Sequence, residues 1–296
     1  MRPLLEFLDF RGIRYASIAL MLLLLVAVFV SVTKNVSLCA GIAFGISMAL
    51  IRPYVAARCM QFACCPMIAL TAMMLVPFIE ERRKLRLSFF MVVGMLTMFF
   101  DFYTVPVLTF GLPMVYCMAV RLRKGRRITL RDMLGCFALW LAGYLCMWLT
   151  KLALTSLFTP YDGFSNGIKE LLLWLDKRNG AEQGQFSVLR AFGAVYAIIC
   201  PDMLSKIVMA GLAAAFAVLV VMRVRSGYSH VLISALPIAA VGFLPVIWFA
   251  ASAKPIVSHA FFQYRSIAVL YWALGAWVAV SNRDPATADS EASLIK

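Results

Sequence analysis

One stretch limits what this chain can fold into more than any other. From Leu87 to Val120 it reads LSFFMVVGMLTMFFDFYTVPVLTFGLPMVYCMAV, with one formal charge, Asp101, near the middle. Basic clusters bracket it: EERRKLR over 80–86 and RLRKGRR over 121–127. A bilayer crossing takes ~20 apolar helical residues. The stretch is therefore too long for one ordinary crossing and barely enough for two. A tight helical hairpin solves the length, with both feet in the cytoplasm and Asp101–Pro106 as its tip on the far side. A carboxylate at that depth costs free energy unless it is hydrated, paired or used.

The rest of the chain has the same character. Residues are 63% hydrophobic and 14% charged, against ~25% charged in soluble domains. That composition predicts an all-α, polytopic transmembrane helical bundle. The predicted spans are 15–32, 36–51, 59–79, 87–101, 105–120, 133–150, 204–222, 231–251 and 266–280. Pro66 is expected to kink or break the third. Gly41 and Gly45 make a close-packing face on the second. Residues 166–200 are predicted to be interfacial. Ile168, Leu171, Leu172 and Leu175 follow helical spacing there, with Asn166 as the N-cap and Gly180 as the stop. Residues 186–200 read as a second interfacial or re-entrant element, with full spanning as the alternative. The polar tail, 281–296, is expected to be disordered and cytoplasmic.

The net charge of +14 argues for topology and anionic lipid headgroups and against nucleic acid, because Lys and Arg cluster beside apolar segments. Placing both bracket clusters with Arg223 and Arg225 inside puts the tip, residues 151–203 and 253–265, and the amino terminus outside. Arg2, Arg11 and Arg14 oppose that last placement. Either one early segment does not span, or the chain resembles the later part of a longer protein. No cleavable signal peptide is evident.

The eight cysteines contain no CxxC pair and read as small apolar packing residues. Two histidines exclude a His-rich metal site. Gly-rich phosphate loops, GxSxG and HExxH are all missing, which argues against ATP-driven transport. Clear internal repeats are also missing, which weakens a two-halved transporter.

The topology gathers Asp101, Lys151, the Lys169–Arg190 region, His259, Tyr264 and Arg265 on one face. An acid beside fixed cations and a histidine suits a phosphate-bearing lipid headgroup. Arg supplies a planar fork for phosphate oxygens, and an acid can act as base or divalent-metal ligand. Ion pairing, hydration and snorkelling explain each residue equally well as packing.

Three segments carry a resemblance: FFDFYTVPVLTFGLP (Phe99–Pro113), WxxGYxxxWxxK (Trp140–Lys151) and HAFFQYR (His259–Arg265). They resemble uncharacterised bacterial polytopic membrane proteins whose layout is similar to GT-C-type glycosyltransferases. The family's large first external loop and its acidic residue are lacking, and only Glu6 and Asp9 precede the first span. The resemblance implies a bacterial cytoplasmic-membrane enzyme, or a remnant of one, acting in cell-envelope glycan assembly. It would take sugar from a polyprenyl-phosphate donor at the outer face. Asp101 would be catalytic, through an acceptor hydroxyl or a metal ion, and Lys151, His259, Tyr264 and Arg265 would bind substrate. A non-enzymatic transporter or accessory subunit for lipid-linked intermediates is the competing class.

Overall fold

The structure, a computed structural model, describes residues 9–101, 104–126, 129–175 and 187–280. All regular structure among them is helical. The long helices are α1 (Phe10–Asn35), α2 (Leu38–Ile51), α4 (Met60–Ile79), α5 (Arg83–Phe100), α6 (Val107–Arg123) and α7 (Leu130–Phe158). A single turn, α3 (Pro53–Ala56), joins α2 to α4. Next come α8 (Gly163–Leu175), α9 (Val188–Ile199) and α10 (Met203–Arg225). The last third is more broken: α11 (Ser229–Ser234), α12 (Leu236–Gly242), α13 (Leu244–Ala251), α14 (Ala253–Ser258), α15 (Ala260–Gln263), a 3-10 turn at Tyr264–Ile267, and α16 (Ala268–Val280). The predicted tail and Gly180 stop lie outside the described residues.

Among the described residues, four helices are long and apolar enough to cross a membrane: Arg11–Asn35, α4, α7 and α10. α10 makes the case on its own. It is 23 residues long with a mean hydropathy of 2.4, and none of its residues is buried in the protein. Water cannot hold such a surface, since exposed apolar patches on soluble monomers rarely exceed a few hundred Å². Its length and composition fit a membrane crossing.

Side-chain contacts sort the helix ends into two groups. Tyr264 Oη donates to Ile51 O at 3.0 Å, Lys151 Nζ to Met98 O at 2.7 Å, and Lys254 Nζ to Leu173 O at 3.0 Å. Tyr264 and Lys254 tie the ends of α2 and α8 to the 252–267 segment, and Lys151 ties α7 to the end of α5; we term this the tip end. At the other, basic end Asn35 Nδ2 donates to Tyr116 Oη at 3.1 Å, and Trp277 Nε1 to Leu232 O at 2.8 Å. Both feet of the hairpin stand there. Lys124 and Arg126 reach Glu80 and Glu81 across 2.8–3.6 Å.

The two hairpin arms have different environments. Every residue from Val107 to Val120 of α6 is buried, as expected of a helix that is apolar all round and surrounded by others. It packs chiefly on α4 and α16, whereas α5 packs chiefly on α7. The α5–α7 crossing brings backbone against backbone. A Cβ added at Gly94 would lie 2.8 Å from Trp140 C, and one added at Gly143 would lie 3.0 Å from Met91 C. Small residues permit such approach, and dispersion then holds helices together where lipid gives no hydrophobic drive. A buried polar ladder crosses the same region. Trp140 Nε1 donates to Thr109 Oγ1 at 3.1 Å, and Thr97 Oγ1 lies 2.7 Å from the same oxygen. The Gly41/Gly45 face meets Phe29, with Thr33 also against Gly41.

The structure refines two local expectations and corrects a third. α4 runs unbroken through Pro66 and Pro77. Each proline deletes one backbone bond, whereas a full break would strand several carbonyls in an apolar medium. The 231–251 segment, expected as one span, is three short helices that restart at Leu236-Pro237 and Leu244-Pro245. Proline is favoured in a first turn, where its missing N–H needs no partner. Finally, α8 begins at Gly163 and not after Asn166. Asp162 Oδ1 accepts from Ser165 N at 3.0 Å, so the cap lies four residues earlier.

Candidate functional site at the tip end

Asp101 ends α5 in an extended conformation, and its own N–H donates to Thr97 O at 2.8 Å. Its carboxylate turns into the loop and is only 2% exposed. Thr104 N lies 3.0 Å from both carboxylate oxygens, and Thr104 Oγ1 donates to Oδ1. This Asp-x-x-Thr arrangement closes the turn before α6 and is a local side-chain-to-backbone lock. Thr104 Oγ1 also lies 3.8 Å from Cys65 Sγ on α4. The Asp101 charge acts on Cys64, Cys65 and Lys151.

Lys151 sits on α7 and crosses to the end of α5. Its ammonium donates to Met98 O at 2.7 Å and Phe99 O at 3.0 Å and stands 5.8 Å over the Phe99 ring. These carbonyls are among those a helix C-terminus leaves unpaired. A cation there also meets the negative end of the helix dipole. An ammonium has three N–H donors, so these two bonds leave one.

Arg265 differs from both. It lies in the 3-10 turn and is 4% exposed. Its guanidinium stands 5.0 Å over the Tyr264 ring, and Nη1 reaches Phe261 O at a long 3.4 Å. Nε has no hydrogen-bond partner, and no carboxylate lies within 4.0 Å among the described residues. A buried cation without an acid is costly, and truncating a partner to leave such a charge costs ~3–5 kcal/mol elsewhere. Tyr264 is spent on Ile51 O. His259 stacks on Phe262 with 5.3 Å between centroids. Gln263 Oε1 accepts from Trp248 Nε1 at 3.1 Å.

All five sequence-predicted residues thus stand at the tip end, in two foci. Asp101, Lys151, Thr104 and Cys65 form one. Arg265, Tyr264 and His259 form the other, on the 252–267 segment. Lys169 and Arg190 are exposed on α8 and α9. Thr104 and Cys65 were missed in the sequence. Asp-x-x-Thr before a helix was the available signal for Thr104, and nothing distinguished Cys65 among eight cysteines in apolar segments. No group of three metal-ligating side chains occurs among the described residues, so Asp101 and Cys65 alone do not make a divalent-metal site.

Comparison with known proteins returned no matching family model, curated protein or solved structure.

Proposed function

We propose that this chain is a nine-crossing protein of the bacterial cytoplasmic membrane that takes a lipid-linked, phosphate-bearing envelope intermediate at its tip end. In this reading α8 lies in the outer interface and the basic feet lie in the cytoplasm. The supporting observation is Arg265, a buried guanidinium with an unbonded Nε and no acid beside it. A phosphate would supply the missing anion, and the guanidinium fork matches its oxygens.

The reaction we favour is GT-C-like transfer of a sugar from polyprenyl phosphate to an acceptor hydroxyl. The acceptor oxygen attacks the anomeric carbon while the bond from that carbon to the phosphate oxygen breaks. The electron pair leaves on polyprenyl phosphate, where Arg265 offsets the charge. Asp101 takes the acceptor proton after giving up its bond from Thr104 Oγ1. His259 and Tyr264 flank the donor. The second reading is a carrier or accessory subunit that binds the same lipid without chemistry. Its support is the Asp101 carboxylate itself, already held by two donor groups of Thr104.

The test pairs Asp101→Asn and Arg265→Gln with two readouts: sugar transfer from a polyprenyl-phosphate donor, and binding of polyprenyl phosphate. Enzyme function requires Asp101→Asn to bind normally and transfer at least about a hundredfold more slowly, within the usual range for general-base loss. Unchanged transfer in Asp101→Asn with lost binding in Arg265→Gln moves the assignment to a carrier. Unchanged binding in Arg265→Gln removes the phosphate reading.

A further inference from the structure

The basic end holds a charge cluster whose signs do not balance. Three guanidiniums converge on the one carboxylate of Asp132: Arg83 at 3.4 Å, Arg86 at 3.6 Å and Arg121 at 3.9 Å. All three are longer than the ~2.7–2.9 Å of a charge-assisted hydrogen bond. Arg86 and Arg121 also share one carbonyl, Glu80 O, at 2.6 and 3.0 Å, which holds two like charges together. The nearby Glu80 and Glu81 carboxylates are engaged by Lys124 and Arg126. Five cations therefore face three acids in these ion pairs. Arg86 is 2% exposed, so water screens little of its share.

The surroundings add positive potential. Asp132 sits in the first turn of α7, whose N-cap Thr129 accepts from Asp132 N at 3.1 Å. The positive end of a 29-residue helix thus points into the cluster. Between the groups is a cavity of about 10 Å³, lined by Arg86, Arg121, Asp132, Thr129, Met114 and Met118. That is near the ~10–15 Å³ that one water-sized oxygen needs. Arg83 is 61% exposed at the edge of the cluster, so the cluster opens outward.

We propose that Arg83, Arg86 and Arg121 form a phosphate-oxyanion site. One oxygen enters the cavity between Arg86 and Arg121, and the rest of the group stays at the mouth on Arg83. The ligand chemistry is a phosphate monoester or diester, brought by an anionic lipid headgroup or as free phosphate. Basic pockets between helices at the cytoplasmic face suit such headgroups. This site lies at the opposite end of the bundle from Arg265 and stands independently of the tip-end reading.

The experiment is thermal unfolding of the full chain in detergent, read by a thiol-reactive dye that reports buried cysteines as they become accessible. The probes are phosphatidylglycerol mixed micelles, phosphatidylcholine mixed micelles, and inorganic phosphate against chloride at equal ionic strength. Each is titrated against wild type, Arg83→Gln and Asp132→Asn. A midpoint rise with phosphatidylglycerol alone assigns the lipid source, and a rise with inorganic phosphate alone assigns the free anion. In either case Arg83→Gln, an exposed change that leaves the fold intact, is expected to raise the half-saturating concentration at least tenfold. Asp132→Asn is expected to start lower and to gain more from the active probe than wild type does, because the probe replaces the lost charge. Equal midpoints in all probes overturn the site. So does an equal rise with phosphatidylcholine, or a titration that Arg83→Gln leaves unmoved.

Discussion

Replacing Gly94 by alanine tests the packing of α5 on α7 with a single methyl group. The added Cβ would lie 2.8 Å from the carbonyl carbon of Trp140 and 3.1 Å from Tyr144 N, with the Trp140 carbonyl oxygen nearer still. Carbon atoms pack at about 3.5–4.0 Å, so the carbon contact alone is short by roughly 0.7 Å. The opposing atoms are helix backbone and cannot rotate away, so the helices must separate. A gap of 0.5–1 Å forfeits about a quarter to a half of each dispersion contact across it. The Trp140–Thr109 and Thr97–Thr109 bonds cross the same region and stretch with it. Overpacking a core costs ~1–3 kcal/mol, and a backbone crossing belongs at the upper end. Gly211 on α10 is the matched control. A Cβ there meets nothing within 4 Å, so alanine gains only helix propensity, up to ~1 kcal/mol. The buried thiols of Cys65, Cys117 and Cys136 supply the assay, since a thiol-reactive dye reports their exposure on heating in detergent. Gly94→Ala should lower the midpoint and Gly211→Ala should hold or raise it. A Gly94→Ala midpoint at or above that of Gly211→Ala would refute the close crossing.

Three further outcomes follow from single contacts. Lys151→Met removes both caps from the end of α5, and about 1 kcal/mol per uncovered carbonyl should appear as faster cleavage at the tip under limited proteolysis. Tyr264→Phe deletes one buried bond to Ile51 O and should cost about 1 kcal/mol in the same thermal assay, with no change in lipid binding if Tyr264 only ties helix ends. The foot ion pairs should depend on pH. The Lys124 hydrogen bond and the Arg126 charge hold the Glu81 carboxyl below its ordinary 4.5, so its contribution is present above that value and lost as pH falls through the depressed one. Lys124 is raised above 10.5, chiefly by its bond to Glu80, so its contribution is complete below 10.5 and lost as pH climbs through the raised value. A midpoint-versus-pH curve for Glu81→Gln should show a smaller acid-side fall below about pH 4.5 than wild type does.

The hairpin was legible because charge brackets are a strong signal and the apolar length between them allows few solutions. The pairing of its feet also follows from sequence, since EE and RLRKGR must meet if both arms return to one side. Which arm would be central was not legible. Residues 87–101 and 105–120 are both strongly apolar, and in lipid an apolar side chain is equally at home against protein or acyl chain. Burial of α6 on every side is decided instead by close approaches such as Gly111 against Val269, which one strand of sequence does not display. The broken 229–251 segment shows the same limit. Pro66 and Pro77 leave α4 whole while Pro237 and Pro245 coincide with restarts, and proline spacing alone does not separate the two cases.

The tip-end residues reverse the order of interest that the sequence suggested. Asp101 stood out as the one acid in a long apolar stretch, and an isolated intramembrane charge is a functional candidate by default. In the fold it is the best satisfied of the group. Thr104 gives it a backbone N–H and a hydroxyl, and the Lys151 charge is near. Arg265 drew less notice among the chain's 28 basic residues, yet it has the unmet demand. Satisfied polar groups hold a fold together without any ligand. A buried guanidinium with an open N–H gains from an anion that the described chain does not provide. On that ground Arg265→Gln is the more decisive of the two tip-end substitutions. Loss of phosphate-lipid binding without loss of thermal stability would separate a ligand-facing arginine from a packing one. A stability loss with binding intact would return Arg265 to the scaffold.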